Sequence, residues 1–380
     1  FFPSHDPFVS LMGSLATFGV GFVTRPIGAY VLGGYADRHG RKRAMLLSMM
    51  MMGAGIALLV LTPGYARIGV LAPIAAVTAR LLQGLALGGE VGSATIYMME
   101  ASDPYKRGFT ISWQGASQGI SATVGALVGL LISLVLTGPE LTSYGWRIAL
   151  GLGLFIVPVA LMVRSSLPET LDLPEEVDST VVAADGYARI VVLGILIIGT
   201  GTIATYIFHY MATFGQNTLH LSTAVSMAGE FANNGIGILL ALWAGALSDR
   251  HGRRPLMIWP QLLFVLGIVP SFLWVTTSRT AFAFIGGNVV LSILTGFQYS
   301  AVYAAISESL PRLVRARAFA LVYSIPVALF GGTTQLVITW LLKVTGEPMA
   351  IDWYLTAVSV LGLIGMILMR ESAPARLARS

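Results

Sequence analysis

Five stretches of this chain, residues 44–66, 108–139, 255–278, 280–307 and 318–342, run for 23 to 32 residues without one Asp, Glu, Lys or Arg. A helix needs about 20 apolar residues to cross a hydrocarbon core, so each stretch is long enough to span a membrane. A water-soluble fold has no place for five such runs. Charged residues make up only 11% of the 380, against about 25% in an ordinary soluble domain. A transmembrane β-barrel would show alternating segments of about ten residues, whereas these runs are apolar on every side. The expected class is an all-α polytopic membrane protein.

Cutting the chain at its charge and turn signals gives eleven spans: 8–36, 44–65, 69–99, 108–137, 146–164, 189–215, 223–247, 255–277, 281–308, 317–342 and 351–369. Seventeen of the 23 Lys and Arg residues fall in loops on one side. Four (Arg67, Arg147, Arg279 and Lys343) fall on the other, and Arg25 and Arg80 lie within spans. The positive-inside bias places the first side in the cytoplasm. The longest polar segment, 165–188, then lies there too. It holds Pro168, Pro174 and six of the eighteen acidic residues, and reads as a linker between an N-terminal half (1–164) and a C-terminal half (189–370), with a cytoplasmic tail at 371–380.

The halves repeat. Gly33-Gly34-Tyr35-Ala36-Asp37-Arg38-His39-Gly40-Arg41-Lys42 returns 212 positions later as Gly245-Ala246-Leu247-Ser248-Asp249-Arg250-His251-Gly252-Arg253-Arg254. Glu100 precedes Arg107 by seven positions, and Glu308 precedes Arg315 by seven. Both loops fall on the same side, which predicts a parallel duplication about an axis along the membrane normal. The second half fits two spans before Asp249, but the first fits only one before Asp37. The shortfall of 24 residues equals one helix, so the natural protein is expected to have twelve helices, of which the first is missing from this chain.

Other chemistries are poorly served. No cysteine means no disulfide and no thiolate site. No His/Asp/Glu grouping has metal-ligand spacing, and no nucleophile set or phosphate-binding loop is recognisable. Neither an enzyme, a metal site nor a cofactor is expected. The net charge of +5 sits in short loops rather than on one face, so no nucleic-acid partner is expected. No cleavable signal peptide opens the chain.

The informative residues are the charges inside spans, since each costs at least ~2.5–3.5 kcal/mol at the bilayer centre. Arg25 lies 12 residues from Asp37, near mid-depth, and Arg80 lies 20 from Glu100, in the outer half of its helix. Guanidinium groups bind carboxylates as a fork, so the pair suits an organic anion. Arg25 reads equally as a brace between helices. Glu90 is two turns from Gln83. Desolvation opposes its ionised form and arginine favours it, which makes Glu90 a candidate proton carrier or an ion-pair partner of Arg25. Gln114 and Gln118 share a face and line a cavity or bond a neighbouring helix. In the second half Tyr206, His209 and Tyr210 cluster, with Glu230, Asn233 and Asn234 one loop away. Gln298, Tyr303 and Gln335 are further candidates. Gly84, Gly88 and Gly92 form a small-residue stripe for close packing.

The repeated Gly-x-x-x-Asp-Arg-x-Gly-Arg-Lys/Arg loop resembles the signature of the major facilitator superfamily. Arg25-Pro26-Ile27-Gly28, Arg80-Leu81-Leu82-Gln83-Gly84, Ser112-Trp113-Gln114, Gly145-Trp146-Arg147 and Leu167-Pro168-Glu169-Thr170 resemble its metabolite:proton symporter family. Within that family, Phe1-Phe2-Pro3, Leu81-Leu82-Gln83-Gly84, Ser117-Gln118 and Phe330-Gly331-Gly332 are most similar to bacterial citrate and tricarballylate transporters. The resemblance implies two six-helix halves that rock about a central site. It also implies loop clusters that lock the halves together in the outward-facing state, carried here by Asp37, Arg38, Arg41, Glu100, Arg107, Asp249, Arg250, Arg253, Glu308 and Arg315. The expected function is proton-coupled symport of a di- or tricarboxylate across a bacterial inner membrane. Substrate contacts are expected from Arg25, Arg80, Gln83, Gln114, Gln118, Tyr210 and Tyr303, and proton coupling from Glu90, Glu230 or His209. Na⁺ in place of H⁺, other metabolites (2-oxoglutarate, shikimate, proline or betaine) and proton-driven efflux are the alternatives. The expected partners are a small organic anion and the lipid bilayer, with the protein a monomer.

Overall fold

The computed structural model describes residues 7–170 and 184–377, leaving out a few side chains within helices. Most of the 165–188 linker, with Pro174, therefore lies outside the described residues. Among those described there are no strands. The long helical segments are α1 Pro7–His39, α2 Arg41–Leu61, α3 Leu71–Glu100, α4 Arg107–Val135, α5 Ser143–Ser166, α6 Ala184–Asn217, α7 Thr223–His251, α8 Arg253–Ser278, α9 Ala281–Ser309, α10 Arg315–Thr345 and α11 Ala350–Leu368. Nine segments among the described residues are long and apolar enough to cross a membrane. The two others, α1 and α4, have 33 and 29 residues, more than the ~20 a crossing needs.

The eleven expected spans correspond to these segments, with ends shifted by a few residues. Several helices extend through the charges that served as boundaries. Asp37-Arg38-His39 completes α1, and Asp249-Arg250-His251 completes α7. Gly40 and Gly252 then turn the chain at φ of 109° and 100°, a region open to glycine at little cost. α5 is not one regular helix: a π-helical turn at Leu141–Gly145 leads into it and a 3₁₀ turn at Gly153–Phe155 interrupts it. At its start Arg147 donates to the carbonyls of Val60 and Thr62 and stacks on Trp146. These acceptors are the end carbonyls that α2 leaves without intrahelical partners, which explains the Gly-Trp-Arg sequence in physical terms.

The chain divides into two compact units. The first comprises Phe1–Tyr97, Val124–Val181 and Pro311–Ala328; the second comprises Met98–Thr123, Val182–Leu310 and Leu329–Ser380. The first unit therefore includes the start of α10, and the second includes the start of α4. In the first unit α1 crosses α3 with backbone against backbone. A methyl group on Gly28 would strike the Leu85 carbonyl, and one on Gly84 or Gly88 would strike the carbonyl of Gly21 or Arg25. Gly92 faces Ala316 and Ala320 of α10. The glycine stripe thus serves two different neighbours. The second unit has a core of Phe208, Phe214, Phe264, Phe272, Phe284 and Ile338 with Ile351 and Leu355.

Polarity is arranged as a bilayer requires. Leu134, Val135, Phe231 and Leu336 are each at least 70% exposed, while Arg41 and Arg253 are fully buried. In water the reverse would hold.

Candidate functional site

Four helices, α2, α4, α8 and α10, begin with arginine: Arg41, Arg107, Arg253 and Arg315. A cation at a helix start opposes the macrodipole and supplies no acceptor for the free N–H groups. Each of these helix starts receives a carboxylate from elsewhere in the chain. Asp37 accepts from Ala316 N and Arg317 N of α10, both at 3.0 Å. Asp249 accepts from Gly108 N at 2.8 Å and Phe109 N at 2.9 Å on α4. Glu169 accepts from Arg41 N of α2 at 2.7 Å, and Glu371 from Arg253 N of α8 at 2.8 Å.

The arginines close the arrangement. Arg41 Nη1 lies 2.6 Å from Asp37 Oδ1, and its Nη2 donates to the Arg312 carbonyl at 3.3 Å. Arg253 Nη1 lies 2.8 Å from Asp249 Oδ1. The same guanidinium holds Glu308 in a fork, Nη2–Oε1 at 2.9 Å and Nε–Oε2 at 3.2 Å. Such pairing is what lets a fully buried arginine persist. The two copies of the loop motif are thus two copies of one latch, each tying the end of one helix to the start of another.

Of the expected gating residues, Asp37, Arg41, Asp249, Arg253 and Glu308 make these contacts. Arg107 and Arg315 lead the two helices that the aspartates cap. Arg38 and Arg250 are exposed, and Glu100 is half-buried. Glu169 and Glu371 had no expected role. Their signal was an acid followed by a hydroxyl residue just after the last span of each half, Glu169-Thr170 and Glu371-Ser372. Burial alone would raise the Glu371 carboxyl, but N–H groups of Ala373, Arg253, Arg254 and Ser372 outweigh it and hold Glu371 below the usual carboxylate range.

The candidate substrate residues fall in both units. In the first, Arg80 Nη1 donates to Gln83 Oε1 at 3.0 Å, and Gln83 is buried against Gly55 of α2. The Thr24 hydroxyl reaches the Leu81 carbonyl at 3.2 Å, while Arg25, one residue on, stacks over Phe22 at 4.4 Å. The glycine crossing brings Arg25 and Arg80 to one helix pair. Glu90 is half-buried on the same α3 and forms no ion pair among the described residues. In the second unit Tyr303 packs against the cluster of Met99, Ile111 and Ala304, Gln114 is half-buried, and the Tyr303 ring centroid lies 6.2 Å from that of Tyr299. Gln118 and Gln335 are exposed, while Gln298 is buried. Exposed His209 meets Tyr206 edge-on at 6.0 Å, and Tyr210 packs on the phenylalanine core. Asn233 accepts from the Ser292 hydroxyl. The side chains of Glu230 and Asn234 lie outside the described residues.

A family model described as "Major Facilitator Superfamily" matches residues 6–239 and 234–379. The chain belongs to the Major Facilitator Superfamily. Relatives within the superfamily include a citrate-proton symporter of Salmonella typhi, 34% identical over 376 residues, covering 96% of this chain and 85% of the relative. An alpha-ketoglutarate permease of Escherichia coli K12 is 32% identical over 387 residues, covering 99% and 88%. Among solved structures, the proton:xylose symporter XylE superposes with a TM-score of 0.77 over 95% of this chain and 87% of that one, at 17% identity. The fucose:proton symporter FucP gives 0.70 over 93% and 89%, at 12% identity. Those two likenesses establish the fold. This superfamily member is a multi-pass membrane transporter, and its relatives by sequence are transporters rather than enzymes.

Proposed function

We propose that the protein is a proton-coupled symporter of an organic acid, with a citrate-like di- or tricarboxylate as its substrate. The observation that supports the reading is the α1–α3 crossing, where two guanidinium groups, Arg25 on α1 and Arg80 on α3, lie within membrane helices, with Glu90 further along α3. A polyanion needs cationic forks in a site of low dielectric, and symport needs a group that gains and loses a proton. The relatives, a citrate-proton symporter and an alpha-ketoglutarate permease, support the same substrate class. The basic end carrying the two latches is the cytoplasmic face of a bacterial inner membrane. No cofactor is required beyond the coupling ion.

Arg80 supplies the test. Its fork is preset by the bond to Gln83, and lysine keeps the charge but not the geometry. Arg80→Lys in the full-length protein should weaken citrate binding by at least about tenfold, the loss of one good charged hydrogen bond, while competition by neutral sugars stays absent. Unchanged citrate affinity in a folded Arg80→Lys protein would remove Arg80 from the site. Stronger competition by betaine or proline than by citrate would replace the substrate class.

A further inference from the structure

The transport reading uses the acids of the first unit and the latches, but it leaves a fully buried carboxylate unexplained. Asp352 stands in the first turn of α11, at the end of the helix remote from the basic loops. It is fully buried, and neither carboxyl oxygen has a hydrogen-bond partner. The N–H groups of Asp352 and Trp353 face it without reaching hydrogen-bond geometry. An isolated ionised carboxylate so placed would be very costly.

Asp352 is not an isolated oddity. Thr356 and Ser359 follow at i+4 and i+7, on one face of α11, and their hydroxyl oxygens are also buried without partners. Hydroxyls elsewhere in this unit bond back to the carbonyl four residues earlier, as Thr200, Thr276 and Thr334 do. Thr356 and Ser359 do not. At the inner end of the row, Gln261 of α8 donates to the Ser359 carbonyl at 2.8 Å and leaves its own amide oxygen unpartnered. From Asp352 to Ser359 is about 10 Å along the helix axis. Five polar oxygens thus form a file through a core otherwise built of phenylalanine, isoleucine and leucine.

α11 packs against α6 and α8. The titratable or charged groups toward that end of its surroundings are His209 and Tyr210 on α6, His220 beyond it, Arg279 after α8, Lys343 on α10, and Glu347 and Tyr354 on either side of Asp352. Among the described residues none forms an ion pair or hydrogen bond with Asp352. No cation is therefore in place to hold it ionised.

We infer that Asp352, with the polar file of Thr356, Ser359 and Gln261, is a second proton-binding site of the transport cycle, loaded from the outer face. This rests on the symport reading above. The carboxylate takes a proton from water at the outer end, becoming a neutral acid that the dry core tolerates. The hydroxyl and amide groups supply the acceptors and donors that position it. Asp352 itself binds the proton; Thr356, Ser359 and Gln261 position it.

Infrared spectroscopy of the full-length protein in lipid at neutral pH reads this directly, through the carbonyl stretch of a protonated carboxylic acid. That band should vanish in Asp352→Asn and survive in Glu90→Gln. Thr356→Val, which keeps the shape and removes the hydroxyl, should shift the band and guards against misfolding of the first variant. In proteoliposomes Asp352→Asn should abolish most pH-gradient-driven accumulation and flatten the pH profile while exchange persists. A band insensitive to both Asp352→Asn and Thr356→Val overturns the proposal. So does a band that maps to Asp352 with unchanged accumulation and pH profile, which would leave the symport reading intact. Failure of the wild type to respond to any pH gradient would remove both.

Discussion

At the scale of single residues, the arginines that begin helices govern how the acids are used. An arginine at a helix start is a local fault, and a carboxylate brought from a distant part of the chain corrects it. Glu371 shows this most simply, because it lies beyond the last span and binds the start of α8 through two N–H groups. Its carboxyl is held below the ordinary range, so its stabilisation is complete above the unfolded-state value of about 4.3 and is lost as pH falls through the lower folded value. Glu371→Gln should therefore cost about 1 kcal/mol at neutral pH, seen as a lower melting temperature in detergent. The difference from wild type should shrink towards zero in acid. A difference that stays constant with pH would mean that charge at Glu371 is unimportant.

At the scale of elements, the latch joins helix ends that the sequence places far apart. Asp249 lies 141 positions from Gly108, whose N–H it accepts. Replacing it leaves Arg253 paired with Glu308, so the fold should survive while the tie between α7 and α4 weakens. Asp249→Asn should raise the labelling rate of a cysteine engineered at the basic end of α4, in a chain with no cysteine of its own. An unchanged rate would count against the latch. Much at this scale was legible in advance. The spans followed from uncharged runs, and an internal repeat marked the aspartates and arginines that meet at helix ends, whose locking role came only from the family resemblance. Glu169 and Glu371 were not legible as partners, because what they bind is backbone N–H, which carries no side-chain signature. The π turn leading into α5 and the 3₁₀ break within it were equally hidden, since neither has a fixed residue pattern. Asp352 escaped because one acid at a helix start looks like an ordinary first-turn residue; only burial distinguishes it.

At the scale of the whole molecule, the protein is a transporter whose acids fall into two groups. Those at the basic end fasten helix starts. Glu90 and Asp352, inside apolar surroundings, are assigned the protons. Glu90 is the coupling residue to test, because it shares a helix with Arg80 and makes no ion pair among the described residues. Labelled citrate uptake into proteoliposomes of the full-length protein, acidic outside and compared with exchange at equal pH, separates coupling from binding. The wild type should concentrate citrate against its gradient and lose this with an uncoupler, whereas Glu90→Gln should exchange citrate but fail to concentrate it. Undiminished pH-driven accumulation by Glu90→Gln, or accumulation by the wild type that follows a Na⁺ gradient alone, would contradict the account.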